Sequence, residues 1–89
     1  MVKLPFEEHP LGDDNFLRTF SSDCQSEDFK WHIDLEDRKI KNLEPTDWKF
    51  QFDNQLPIAI SGEIYVPAGV WHRLIKGSGI LKLQITKIF

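Results

Sequence analysis

The most constraining feature of the sequence is a two-residue hydrophobic period that recurs in short runs. Apolar and polar residues alternate over 29–34, 48–53 and 81–86. This period is typical of a β-strand with one buried face, because successive side chains point to opposite sides of the sheet. Turn signals separate the runs, and no stretch keeps a helical period beyond about three turns. The pattern predicts an all-β protein, a single small antiparallel barrel or sandwich.

Chain length limits the fold to one small domain. A chain of 89 residues buries only about 60% of its unfolded surface. Pro5, Pro10 and Gly12 interrupt the first part of the chain, which also carries four acids. We therefore predict an irregular, acidic N-terminal segment over 1–16 and a β-barrel over 17–89. The short stretch from Asn15 to Phe20 contains apolar residues and is either a first strand or one helical turn.

Composition excludes several functional classes. Cys24 is the single cysteine, which excludes an internal disulfide and zinc sites made of several thiolates. No run of about eighteen apolar residues occurs, and the acidic start lacks the apolar run of a signal peptide. We therefore expect a cytoplasmic location and no membrane partner. The eight basic residues of 38–89 are scattered along predicted strands, and the net charge is −3, so we expect no nucleic-acid partner.

Two histidines and one aspartate on strand-like segments form a candidate metal site. His32 and Asp34 lie two apart in WHIDLEDR and point to the same face of a strand. His72 follows a Pro-x-Gly turn in YVPAGVWH, and an adjacent strand can bring it beside them. Two imidazoles and a carboxylate form a facial triad typical of Fe(II), with Zn, Ni or Mn as alternatives. The competing interpretation is a surface His32 beside an acid and a His72 that pairs with a backbone carbonyl.

The segments around these residues resemble the two sequence motifs of the cupin superfamily, G-x5-H-x-H-x(3,4)-E-x6-G and G-x5-P-x-G-x2-H-x3-N. Pro67, Gly69 and His72 stand at the spacing of the second motif. In the first motif His32 matches the first histidine, and Asp34 replaces the second. The resemblance implies a cupin-like double-stranded β-helix, or jelly roll.

The resemblance covers about residues 17–89 and carries over His32 and His72 as metal ligands, with Asp34 as a substituted ligand. Arg38 stands where the family has a glutamate ligand, and an arginine cannot ligate a cation. Two outcomes follow. Either the three ligands hold a metal in an open site, or Arg38 pairs with Asp34 and leaves a metal-free pocket for a ligand carboxylate or phosphate.

The predicted function is the binding of a small polar metabolite in the barrel, with Arg38, Trp48 and Phe50 as ligand-binding residues. Whether the chain is an enzyme stays open. The enzyme classes that such a metal site favours are oxygenase, isomerase and hydrolase. The alternative is a non-catalytic, metal-free module that acts in dimerisation or partner binding. Trp31 and Trp71 precede the candidate ligands, so alternation sends them to the outer face, where we expect a homodimer interface.

Overall fold

The computed structural model of the chain describes residues 7–21, 23 and 27–89. Residues 1–6 of the predicted N-terminal segment, and Cys24, lie outside the described residues. The described part contains β1 (Glu7–Gly12), β2 (Asn15–Phe20), a 3₁₀ turn (Glu27–Phe29), β3 (Asp37–Asn42), β4 (Lys49–Phe52), β5 (Ile58–Ala59), β6 (Glu63–Val66), β7 (His72–Ile75) and β8 (Leu81–Ile88). The expected all-β class is confirmed. Within the described residues no helix has the length and hydropathy needed to cross a membrane, and the cytoplasmic location stays a prediction.

The strands form two antiparallel sheets that share one core. The larger sheet has the strand order β1-β2-β8-β3-β6, and the smaller sheet has the order β5-β4-β7. Strand β8 lies in the middle of the larger sheet, and its buried side chains alternate with half-buried ones over its first half. Both sheets contribute to the buried cluster of Phe20, Ile40, Trp48, Phe50, Ile60, Val66, Leu74, Leu81, Leu83 and Ile85. The apolar faces therefore pack against each other, as in other two-sheet antiparallel folds.

The alternation predicted over 48–53 is confirmed at residues 48–50, at the start of β4 in the smaller sheet. Trp48 is 0% exposed and Phe50 is 3% exposed, whereas Lys49 between them faces solvent. The indole Nε1–H of Trp48 donates to the carbonyl oxygen of Ser78 at 3.2 Å. That hydrogen bond satisfies the polar atom of an otherwise apolar side chain, which is the usual requirement for a buried tryptophan.

The start of the described chain differs from the prediction. Glu7–Gly12, expected to be irregular, forms the edge strand β1 and pairs with β2. Asp13 and Asp14 between them have φ angles of 47° and 64°, the left-handed conformations of a tight hairpin turn. Strand β1 is exposed along its whole length, so it has no buried face and no hydrophobic alternation. Its Pro10 is tolerated because an edge strand leaves N–H positions unpaired.

The run over 29–34 is also not a regular strand. The 3₁₀ turn ends at Phe29, whose ring packs against Phe20 and Trp48 with centroid distances of 5.9 and 5.7 Å. This contact turns Phe29 into the core, whereas simple alternation places it on the outer face. Further along, His32 forms an isolated bridge to β7. The segment is therefore joined to the smaller sheet at one point, and that point lies at a candidate ligand.

Candidate metal centre

His32, Asp34 and His72 lie together. The main chains of the two histidines exchange hydrogen bonds in both directions, with N–O distances of 3.0 and 2.9 Å. Their rings meet edge to face, with centroids 4.3 Å apart. One ligand atom of each of the three side chains lies within 4.8 Å of the other two. Bonds of about 2.1 Å to a shared ion place donor atoms about 3–4 Å apart, so the three groups lie close enough to hold a metal.

Both imidazole rings are oriented by backbone carbonyl groups. Nδ1 of His72 lies 2.8 Å from the oxygen of Val70, and Nδ1 of His32 lies 2.8 Å from the oxygen of Lys30. A carbonyl oxygen only accepts, so each Nδ1 carries a hydrogen and donates it, and Nε2 is the nitrogen of each ring that an ion can bind. Hydrogen bonds of this kind fix the tautomer and the ring orientation of metal-binding histidines.

The two carboxylate oxygens of Asp34 contact two different side chains. Oδ2 lies 3.2 Å from Nε2 of His72, and Oδ1 lies 3.6 Å from Nη1 of Arg38. Burial raises the pKa of Asp34, but the hydrogen bond with His72 and the charges of Arg38 and the histidines together lower it below the usual 3.8. The carboxylate is therefore ionised at neutral pH, which is the state that a metal ligand requires.

Arg38 places a positive charge beside the cluster. Its Nη2 and Nε donate to Oε1 of Glu36 at 3.0 and 3.3 Å. The same carboxylate oxygen lies 3.8 Å from Nζ of Lys87. The ion pair between Arg38 and Asp34 agrees with the pairing expected from their spacing. A guanidinium group has no acceptor, so Arg38 adds charge at this position and cannot act as a fourth ligand.

Asp28 and Arg18 extend the cluster at His32, although neither belongs to a sequence motif. Oδ1 of Asp28 lies 3.7 Å from Nε2 of His32, and Oδ2 lies 3.3 Å from Nη1 of Arg18. Arg18 also donates from Nε to Glu8 at 2.7 Å. The sequence contains one signal for Arg18. It lies two residues before the buried Phe20, so both side chains point to the same face of the strand. Asp28 has no such signal, because it lies in a polar stretch that the 3₁₀ turn brings to His32.

A cavity of about 40 Å³ adjoins the three candidate ligands. Its polar lining consists of Arg18, Asp28, His32, Asp34, Arg38 and His72, and its apolar lining consists of Phe20, Ile40, Phe50, Val66, Leu74, Leu83 and Ile85. The candidate ligands therefore sit in a pocket that has both a charged part and an apolar wall, as small-molecule sites commonly do.

The three predicted ligand-binding residues fall in two different places. Arg38 and Phe50 line the cavity, and the Phe50 ring stacks on His72 with a centroid distance of 5.4 Å. Trp48 is completely buried in the core and is not part of the described cavity lining. This placement differs from the prediction because Trp48 precedes β4 and packs toward the connection at Ser78, to which its indole is hydrogen-bonded.

The turn that precedes His72 is attached to the segment that carries Asp34. The N–H of Gly69 donates to the carbonyl oxygen of Asp34 at 3.0 Å. The N–H of Ala68 donates to Oδ1 of Asp37 at 2.8 Å. Gly69 has a φ of 76°, a left-handed conformation that favours glycine. The Pro-x-Gly turn is thus held against the other half of the site, which sets the position of His72 relative to Asp34.

The fold and the site define a class, an all-β protein of two antiparallel sheets with a His–Asp–His cluster. No protein family matches the chain, and no curated protein matches it. The fold is similar to that of the conserved protein SPY1581 of unknown function from Streptococcus pyogenes, with a TM-score of 0.61 and 16% identity over 82% of this chain and 61% of that chain. It is also similar to protein NMB1881 from Neisseria meningitidis, with a TM-score of 0.61 and 14% identity over 94% of this chain and 82% of that one. The chain spans less than two thirds of the Streptococcus protein, and these likenesses show the fold alone.

Proposed function

We propose that the chain is a small cupin that holds a divalent metal ion through His32, Asp34 and His72 and binds a small polar metabolite in the adjoining cavity. The observation that carries this proposal is the pair of hydrogen bonds from Nδ1 to backbone carbonyls, which makes Nε2 the nitrogen of each ring that an ion can bind, beside the ionised Asp34. The spacing of Pro67, Gly69 and His72 supports the cupin assignment, and the two-sheet antiparallel fold agrees with it.

The donor set fits a divalent transition metal. Two neutral imidazole nitrogens and one carboxylate suit Fe(II), Zn, Ni and Mn, and three protein ligands leave coordination positions open. When bound, such an ion supplies Lewis acidity to a ligand in the cavity. The chain orients the two imidazoles, holds Asp34 in its ionised form and surrounds these polar groups with an apolar wall.

Metal uptake by the untagged chain tests the proposal directly. Equilibrium dialysis against each candidate metal, with Fe(II) kept free of oxygen, is expected to give about one equivalent for at least one metal. His72→Ala removes one donor, and we expect it to weaken metal binding about 100-fold or more. His9→Ala is the matched control because His9 lies on the exposed strand β1. Uptake below about a tenth of an equivalent with every metal contradicts the proposal.

A metal-free ligand pocket is the second candidate, and the ion pairs of Arg38 favour it. Arg38 lies beside both Asp34 and Glu36, so it offsets the carboxylate charge without an ion. In that case the chain is a non-catalytic binding module, and the contact between His72 and Asp34 is an ordinary hydrogen bond. The same dialysis separates the two candidates. Under the second candidate, His72→Ala leaves the metal content unchanged, because neither chain takes up metal.

We also propose a homodimer that forms through the outer face next to the site. Trp31, Ile33, Leu35 and Trp71 are 40, 44, 93 and 50% exposed, and the guanidinium of Arg73 lies over the Trp31 ring at 4.7 Å. Large exposed apolar side chains are typical of interaction surfaces when they form a patch. Sedimentation equilibrium is expected to give about twice the chain mass of 10.4 kDa, and Trp71→Ser is expected to shift the population to monomer. A wild-type mass near 10.4 kDa at micromolar concentration contradicts the homodimer.

A further inference from the structure

Two arginine side chains make one part of the cavity wall positive. Arg18 and Arg38 both line the cavity, and their side chains are 14 and 19% exposed. Each is paired with an aspartate that also contacts a histidine: Arg18 with Asp28 at 3.3 Å, and Arg38 with Asp34 at 3.6 Å. Withdrawing guanidinium groups from water costs free energy that ion pairs return only in part. The proposed metal site uses neither arginine as a ligand.

Arg38 combines a fixed orientation with available hydrogen-bond donors. Its Nε and Nη2 donate to Glu36, which fixes the plane of the guanidinium group. Its Nη1 makes no hydrogen bond to any residue that the structure describes, and the distance of 3.6 Å to Asp34 is too long for one. Glu36 is itself held between Arg38 and Lys87. A pre-oriented guanidinium with an open N–H edge is the arrangement that recognises a planar oxyanion.

The remaining wall of the same cavity is apolar and includes Ile40, Phe50, Val66 and Leu83. A ligand that fills the cavity therefore needs an apolar part as well as an anionic group. The cavity volume of about 40 Å³ corresponds to roughly three water-sized spheres. This volume limits the ligand to a few non-hydrogen atoms.

We propose that the ligand is a small monocarboxylate with a short apolar chain. Its carboxylate accepts hydrogen bonds from the Nη1 edge of Arg38, and its chain packs against the apolar wall. Arg18 adds positive charge to the same cavity. Inorganic phosphate matches the guanidinium group but has no part that can cover the apolar wall. The inference rests on the proposed function, because it assigns the ligand class of that same cavity.

Propanoate is the probe, and isothermal titration calorimetry on the zinc-loaded chain is the measurement. Propanamide has the same shape without the charge, and inorganic phosphate has the charge without the apolar part. We expect propanoate to bind about tenfold or more tightly than either compound. Arg38→Met keeps the apolar stem, and we expect it to lower propanoate affinity about tenfold or more.

Two further variants make the comparison specific. Arg73→Met is the matched control, because Arg73 stacks on Trp31 away from the cavity lining, and we expect unchanged propanoate affinity. Arg38→Lys keeps the charge but loses the planar fork, so we expect it to recover only part of the affinity. Circular dichroism confirms that each variant is folded, and Arg38→Lys carries the comparison where Arg38→Met fails to fold.

Several results overturn the inference. The first is equal affinity for propanoate and propanamide, and the second is phosphate binding as tight as propanoate binding. The third is an equal loss of propanoate affinity in Arg38→Met and Arg73→Met. The zinc content of the same samples separates this failure from that of the metal proposal. A chain that binds zinc without preferring propanoate overturns the carboxylate inference alone. A chain that takes up neither zinc nor any other candidate metal overturns the metal proposal, and the propanoate titration of the metal-free chain then decides the ligand class by the same criteria.

Discussion

His32 and His72 are paired through the main chain and through their side chains. Their backbone groups exchange hydrogen bonds of 3.0 and 2.9 Å, and their ring centroids lie 4.3 Å apart. Residues that exchange both hydrogen bonds across an antiparallel pair lie directly opposite each other, with their side chains on the same face. One backbone bridge therefore sets the separation of the two imidazoles, so the fold itself brings the two rings together.

Asp34→Asn tests the single acidic ligand. The substitution keeps the shape of the side chain but removes the charge that faces His72 and Arg38. We expect metal affinity to fall about 10- to 100-fold, because an amide oxygen is a much weaker ligand for these ions than a carboxylate. Competition with a chromophoric chelator measures the change. Asp53→Asn, on an exposed turn, is the control, and a variant with wild-type metal affinity argues against Asp34 as a ligand.

Acid unfolding of the metal-free chain reports on the same carboxylate. The pKa of Asp34 lies below its usual 3.8, because the hydrogen bond with His72 and the charge of Arg38 together outweigh burial. Below that value the unfolded chain binds more protons than the folded chain, so the free energy of unfolding falls as the pH falls. The stability that Asp34 contributes is complete above the unfolded value and is lost as the pH passes through the lower folded value. We expect Asp34→Asn to show a shallower loss of unfolding free energy below pH 3.8.

Two other carboxyl groups also contribute to the loss of unfolding free energy in acid. Hydrogen bonds from Tyr65 to Asp37 and from Ser78 to Asp47 lower the pKa of each carboxyl. These groups keep part of the acid dependence in the Asp34→Asn variant. Urea denaturation at several acidic pH values measures the slope for both proteins. Identical slopes mean that the surroundings of Asp34 do not stabilise its ionised form.

The fold was predictable where a strand has one buried face. Leu81, Leu83 and Ile85 are buried in β8 as their alternation predicts. Strand β1 has no buried face, so its side chains carry no pattern, and backbone pairing alone defines it. Sheet membership was not predictable either. Strands β7 and β8 are consecutive in the chain but belong to different sheets. Packing between residues distant in the sequence determines which sheet each strand joins.

The site was predictable where residue spacing determines which side chains meet. The two-residue separation of His32 and Asp34, with the turn before His72, predicted a cluster that the structure brings together. Asp28 could not be found in this way, because its approach to His32 depends on the 3₁₀ turn. Trp48 was predicted to bind the ligand but lies in the core. Alternation could not distinguish these positions, because core residues and cavity residues point to the same face of a strand. Alternation predicts which face of a strand carries a side chain, but it does not predict where along the core that side chain lies.

Asp37→Ala tests the attachment of the turn that precedes His72. Asp37 accepts hydrogen bonds from the N–H of Ala68 at 2.8 Å and from the hydroxyl of Tyr65. Without the carboxylate, Ala68 in the turn and Tyr65 in the preceding strand β6 lose these hydrogen bonds, while the ligand set stays intact. We expect metal affinity to fall about tenfold, as when groups that orient metal ligands are removed. Tyr65→Phe removes one of the two bonds and is expected to cause a smaller loss. Unchanged affinity in Asp37→Ala means that the turn does not position His72.

Gly77→Ala tests the close packing of the connection between β7 and β8. A Cβ at this position collides with Oδ1 of Asp47 and lies 2.8 Å from both Cδ1 and the main-chain nitrogen of Trp48. Trp48 is fully buried, so neither of its atoms can move aside easily. The N–H and hydroxyl of Ser78 also donate to Asp47 at 2.9 and 2.7 Å, which holds the connection in place. We expect the free energy of unfolding to fall by about 1–3 kcal/mol.

Two variants separate crowding at Gly77 from the loss of local hydrogen bonds. Ser78→Ala removes one hydroxyl hydrogen bond without adding volume, and we expect it to cost about 1 kcal/mol. Asp47→Ala removes one of the obstructing atoms, so Gly77→Ala is expected to cost less in that background than alone, because the two sites are in contact. The urea midpoint of unfolding is measured for the wild type, the three single variants and the Asp47→Ala/Gly77→Ala double variant. A Gly77→Ala chain with the wild-type midpoint shows that the connection can shift away from Trp48 without loss of stability.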